Sequence, residues 1–186
     1  HYFERADPTY RQILPPSQAG PGNITGYSDR DGPINNDEHH FAHYLRGLGF
    51  RKVDVLDAHD QKANLRLNMN EAVAGEFYGR YKSFLDIGCL EHVFDTRQCL
   101  TNEALMVAVG GHLVHLVPVR GHYRHGLHVF DPELLLGFLT LNGFDVVMLG
   151  YSEAGRSITS PDDGEAVQMW LVIRKVTQFG VFRVPE

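Results

Sequence analysis

KSFLDIGCLEHVFDT, residues 82–96, is the stretch on which the fold reading turns. Its first part, KSFLDIG at 82–88, is a short apolar run of strand character that stops at a glycine, where a backbone can turn. Residues 96–109 then read as a helix that stops at Gly110-Gly111. HLVHLVPV at 112–119 is a further strand, ended by Pro118 and the polar loop RGHYRHGLH. Asp131 caps the helix PELLLGFLTLNG, with Pro132 at its first position and Gly143 at its end. FDVVMLGYS (144–152) and MWLVIRKV (169–176) are the last two strands, and the Gly/Ser/Asp-rich loop between them, 153–165, is expected to be mobile.

Strands alternating with helices of this length call for βαβ crossovers, and so for an α/β domain around a mostly parallel sheet. No helix separates the last two strands, so they are expected to pair as an antiparallel hairpin at one edge. Upstream, a short strand is expected at 23–27 and a helix at 37–48, with Asp37 as N-cap and Gly49 as its stop. KVDVLDA (52–58) and LRLNMN (65–70) are strand candidates, and 71–80 a helix candidate. Residues 1–23, rich in Pro, Gly and Gln, read as an N-terminal arm with one short helix at 9–14, and 24–186 as the domain.

The chain has 186 residues, 43% of them hydrophobic, which suits one domain with a sizeable core. The net charge is -6 and Lys and Arg do not cluster, which disfavours a nucleic-acid partner. No apolar run is long enough to span a bilayer and none reads as a signal peptide, so no membrane partner is expected. Two cysteines, Cys89 and Cys99, fit a reducing, cytoplasmic setting better than a disulfide scaffold.

FLDIGCLEHVFDT (84–96) resembles the fourth strand and following turn of class I S-adenosylmethionine-dependent methyltransferases, with LEH at 90–92. VGGHLVHLVPV (109–119) resembles that family's Gly-Gly leader and fifth strand. HGLHVFDPELLLGFLTLNGFDVV (125–147) resembles its loop, helix and sixth strand, in particular the methyltransferases found beside glycan-assembly enzymes, which carry a His-Gly pair before P-x-L. The match covers 82–176. KVDVLDA resembles the second strand, ending in Asp57, and LRLNMNE the third, with Asn68 where many relatives have Asp. The first loop, NITGYSDRDGP, offers only Gly26 where the family has a glycine-rich turn, and the helix between strands two and three is missing. The resemblance implies a three-layer Rossmann-like methyltransferase fold, S-adenosylmethionine as cofactor, and O- or N-methylation of a small molecule such as a sugar or biosynthetic intermediate. A second copy of the chain or a partner protein is a further option.

Methyl transfer from a sulfonium asks for alignment, a dry pocket and, for some acceptors, a base. The cofactor would lie along Gly26 and Ser28, Asp57, Asn68, and the turn Gly88, Cys89, Leu90. Asp57, at a strand end, is placed to accept the ribose hydroxyls, with a solvated or capping Asp as the structural alternative and Asp54 as the rival acid. Asn68 offers an amide to the adenine; Asn70 reads as a turn residue. Glu91, His92 and His125 are the catalytic candidates: His92 as base or as an orienting residue, His125 because it sits in the His-Gly pair. His122, His125 and His128 have a metal-like spacing, but Gly121 and Gly126 argue against a helix and no HExxH accompanies them, so no metal is expected. His39, His40 and His43 read as solvated or packed helix residues. Two other functions stay open: a non-catalytic methyltransferase-like partner subunit, suggested by the worn first loop, and the same fold reused for a histidine-assisted reaction other than methylation.

Overall fold

The computed structural model describes residues 40–50, 52–178 and 182–185. These fall into two compact units divided between Asn68 and Met69. The expected arm, its short helix, the strand at 23–27, and the site positions Gly26 and Ser28 lie outside the described residues, as do Asp37 and His39.

In the smaller unit, helix α1 spans His40–Gly47 and is followed by Gly49 at φ +99. The expected strands at 52–58 and 65–70 are not strands. They meet only in an isolated parallel bridge, Leu56 to Leu65, with Leu65 N–H donating to Val55 O and Asp57 N–H to Leu65 O, both 3.0 Å. Polar side chains in the intervening segment bond its own backbone, as short polar residues do when they compete with a ladder. Asp57 Oδ1 accepts from the N–H groups of His59 and Asp60, and Asn64 Oδ1 from Val55 N–H.

The larger unit contains β1 (Tyr81–Ile87), α2 (Thr96–Met106), β2 (Val107–Arg120), α3 (Pro132–Leu141), β3 (Phe144–Glu153), β4 (Arg156–Ile158) and β5 (Val167–Lys175). The class is α/β, with one five-stranded mixed sheet in the order β1-β2-β5-β3-β4. The mostly parallel sheet expected from the sequence is not what forms. Only β1 and β2 pair in parallel; β2–β5, β3–β5 and β3–β4 are antiparallel. The expected antiparallel partners, β3 and β5, do pair, from Phe144 opposite Lys175 to Glu153 opposite Val167. They do not form an edge, however. β5 inserts between β2 and β3, so two strands that point the same way are each paired with a reversed one. An interior place suits its sequence, because Val167, Met169, Leu171 and Ile173 are all fully buried.

Helix α2 ends at Met106, three residues earlier than expected, and β2 starts at Val107 with no intervening loop. The buried Lys175 makes this abrupt ending tenable. Its ammonium donates to Ala104 O at 2.7 Å and Val107 O at 2.8 Å, satisfying a carbonyl of the last helical turn where a cation is electrostatically favoured. Burial pulls the Lys175 pKa below its ordinary value. Lys175→Met should therefore cost about 1–3 kcal/mol in urea unfolding, the range for orphaned buried acceptors; an unchanged midpoint would mean that water replaces the ammonium.

The helix expected at 71–80 is replaced by an extended segment with a single 3₁₀ turn, Gly75–Phe77. Fully buried Asn102 of α2 takes over the backbone bonds a helix would have made. Its amide donates to Met69 O (3.1 Å) and Glu71 O (2.8 Å), and its carbonyl oxygen accepts from Val73 N–H at 3.2 Å. The loop at 153–165 has structure of its own: β4, and a 3₁₀ turn at Pro161–Asp163 closed by a capping box between Ser160 and Asp163. No helix among the described residues is long and apolar enough to cross a membrane.

Candidate functional site

Because β1 and β2 are parallel, the turns that follow them open at the same end of the sheet. Asp86, near the end of β1, is buried and fixes the first turn: its Oδ1 accepts from the N–H groups of Cys89 (2.9 Å) and Leu90 (3.2 Å). Gly88, at φ +81, donates to Leu116 O on β2. Leu90 is fully buried and offers only backbone to a ligand, whereas Cys89 is exposed. A 3₁₀ turn, Leu90–His92, then sets Glu91 inward and His92 outward.

The loop after β2 folds back onto this turn. The N–H groups of Leu127 and His128 both donate to Glu91 O, at 2.8 and 3.1 Å. Gly126 is needed for this approach, since a Cβ there would stand 2.9 Å from both Glu91 O and Glu91 Cγ. Gly121, at φ +67, has a second reason: a Cβ would collide with Glu165 O, in the segment leading into β5. Between the two glycines, His122 and Arg124 adopt positive φ, so this stretch is a turn and not a helix, as its glycines implied.

The result brings together the three residues expected to be catalytic. His125 Nε2 lies 3.4 Å from Glu91 Oε1, and His92 Nε2 3.9 Å from the same oxygen. The two imidazoles are 5.2 Å apart between centroids, and the His122 ring lies 5.5 Å from that of His125. Both histidines are about half exposed, at 47% and 49%, while Glu91 is at 1%. Glu91 Oε2 is buried with no hydrogen-bond partner, as are His122 Nε2 and His128 Nε2. A buried carboxylate beside two accessible imidazoles can orient a base, bind a cation, or both.

The expected cofactor residues divide between the two units. Gly88, Cys89 and Leu90 do line the end of β1. In the smaller unit Asp57 is exposed and closes a local turn through Oδ1, Asp54 accepts from Asn64 Nδ2 at 2.8 Å, and Asn68 is exposed. Asn70, read as a turn residue, accepts from Asp95 N–H at 2.9 Å and braces the N-terminus of α2.

A second polar cluster went unread in the sequence. Register places Asp86 of β1 beside His115 of β2, so both leave the sheet on one face, where α2 contributes Cys99 and Glu103. His115 Nε2 and Glu103 Oε2 are 2.7 Å apart and both residues are fully buried. Burial pushes Glu103 up to about 8, with His115 opposing and Asp86 adding to the rise. For His115 burial acts downward, but the Glu103 carboxylate outweighs it and holds the imidazole above its ordinary value. The signal was available: a histidine in the middle of HLVHLVPV has to satisfy its ring inside a core.

Comparison with known proteins leaves the site to be argued on its own chemistry. No protein-family model matches the chain, and no curated protein matches it.

Proposed function

We propose that this chain is a methyltransferase-like enzyme that transfers a methyl group from S-adenosylmethionine to a hydroxyl or amine of a small molecule. The observation that carries the reading is the convergence of Glu91, His92 and His125 at the carboxyl end of parallel β1 and β2, where ligands of open α/β sheets bind. The sheet is compatible with it, since β5, expected to run in reverse because no helix precedes it, does so. The finer proposal is a three-layer Rossmann-like domain, working in a reducing, cytoplasmic compartment where exposed Cys89 stays a thiol.

In this reading the Gly88–Cys89–Leu90 backbone runs beside the methionine part of the cofactor. Glu91 orients His125, whose Nε2 faces it, leaving Nδ1 to take the acceptor's proton. Exposed Tyr123 and Leu127 on the same loop, and Phe94 past the first turn, give the acceptor apolar surface. A non-catalytic partner subunit is the alternative, motivated by the single glycine, Gly26, in the first loop.

Calorimetric titration with S-adenosylmethionine and S-adenosylhomocysteine separates these readings. Saturable binding at one site per chain supports the enzyme, and repeated absence of binding favours the partner subunit.

A further inference from the structure

The Glu91 carboxylate is buried beside two imidazoles, and its second oxygen has no donor. Leaving a carboxylate oxygen buried and unsatisfied is costly, and the contact at 3.4 Å from His125 to the other oxygen is a long one. One ligand atom from each of Glu91, His92 and His125 lies within 4.8 Å of the other two. Atoms bound about 2.0–2.2 Å from a zinc ion at tetrahedral angles stand about 3.4 Å apart. The 3.4 and 3.9 Å separations from Glu91 Oε1 are close to that spacing.

We propose that Glu91, His92 and His125 form a binding site for a divalent first-row transition-metal ion such as Zn²⁺. Two imidazoles and a carboxylate select such ions over Mg²⁺ or Ca²⁺, which prefer all-oxygen sets. Three protein ligands leave a position open to water or substrate, the arrangement of a catalytic rather than a structural ion. The ion offers a positive partner to the buried Glu91 carboxylate, whose Oε2 has no donor. The site is held from behind, because Leu127 and His128 pin the Glu91 carbonyl and Gly126 admits the loop. His122, with its own Nε2 buried and unpartnered, stands one ring away. A substrate hydroxyl on the open position would lose its proton to solvent more readily, the service asked of His125 when no ion is bound.

The site stands independently of the methyl-transfer reading, and its test uses no S-adenosylmethionine. Chelator-treated full-length protein is titrated with Zn²⁺ and, separately, with Co²⁺, whose visible absorption reports its ligands. The expected result is one ion per chain and a Co²⁺ spectrum of nitrogen and oxygen donors. His92→Ala and His125→Ala should each weaken binding at least about tenfold, and Glu91→Gln should do the same. Both histidines are half exposed, so their variants should keep the wild-type circular dichroism and stay informative if Glu91→Gln does not fold. Absence of a stoichiometric ion, equal affinity in both histidine variants, or a cobalt–thiolate band placing the ion at Cys99 would each overturn the proposal. Failure here would leave cofactor binding untouched, and failure of cofactor binding would leave the ion titration standing.

Discussion

Replacing Glu103 by alanine should destabilise the protein by about 3–5 kcal/mol, because it strands His115 in the core without its partner. The pair is fully buried beneath α2, and Asp86 and the Cys99 thiol are the other titratable groups beside it. Glu103→Gln, which keeps a hydrogen-bonding group of the same size, should cost less. The two variants also differ from wild type in how stability depends on pH. Glu103 releases its proton at about 8 in the folded protein against 4.5 for the free side chain, and His115 is raised above 6.5. The pair therefore retains one proton when folded, because His115 is raised mainly by the ionised Glu103 carboxylate. Its contribution is fully present below the unfolded values and is lost as pH rises through the folded ones. Wild-type stability should fall between about pH 5 and pH 8, with a slope of at most about 1.4 kcal/mol per pH unit. Urea unfolding at intervals across that window, for wild type and Glu103→Gln, checks this. Parallel curves would show that the pair does not set the pH dependence.

How far the sequence could be read depended on where each segment's backbone bonds go. Segments that close on themselves were legible. Asp131 accepts from Glu133 N–H and caps α3 as its spacing implied, and β1 follows KSFLDIG to within a residue at each end. Segments bonded by distant side chains were not. Nothing within 71–80 reveals that Asn102, some thirty residues on, will bond its backbone. The place of β5 was hidden for a similar reason. The apolar run at 169–176 reads as a strand, and the missing helix before it implies that it runs back along β3. Choosing between an edge and a slot beside β2 requires knowing which faces are left uncovered, which no local pattern holds. The site was legible in part: the LEH turn and the His-Gly pair were singled out separately, and the structure joins them through Glu91. The burial of Glu91 was not foreseen, because it arises from Leu127 and His128 folding over the turn. That same burial turns attention from the metal-like spacing of His122, His125 and His128 to a set drawn from two loops.

Under the proposed methyl transfer, replacing His125 by alanine should lower turnover by about 10²–10⁴-fold, the usual contribution of a positioned proton-transfer group, with little effect on S-adenosylmethionine affinity. The separation follows from position. His125 projects from the loop after β2, half exposed beside Glu91, whereas the backbone assigned to the cofactor is the Gly88–Leu90 turn after β1. A base matters most when the nucleophile is a hydroxyl, whose proton has to leave as the new bond forms. An amine that arrives unprotonated needs less help, so the size of the His125→Ala effect also reports on the acceptor. His92→Ala should depress both turnover and affinity, because His92 follows directly on the cofactor turn and shares the Glu91 oxygen. Both side chains are half exposed, and truncating them should leave unfolding within about 0.5 kcal/mol of wild type, so a loss of turnover would not be a loss of fold. The measurement is S-adenosylhomocysteine release with hydroxyl- and amine-bearing acceptors, alongside cofactor titration of each variant. Full turnover in both variants, with an acceptor the wild type uses, would reduce the two histidines to packing and solvating their loops.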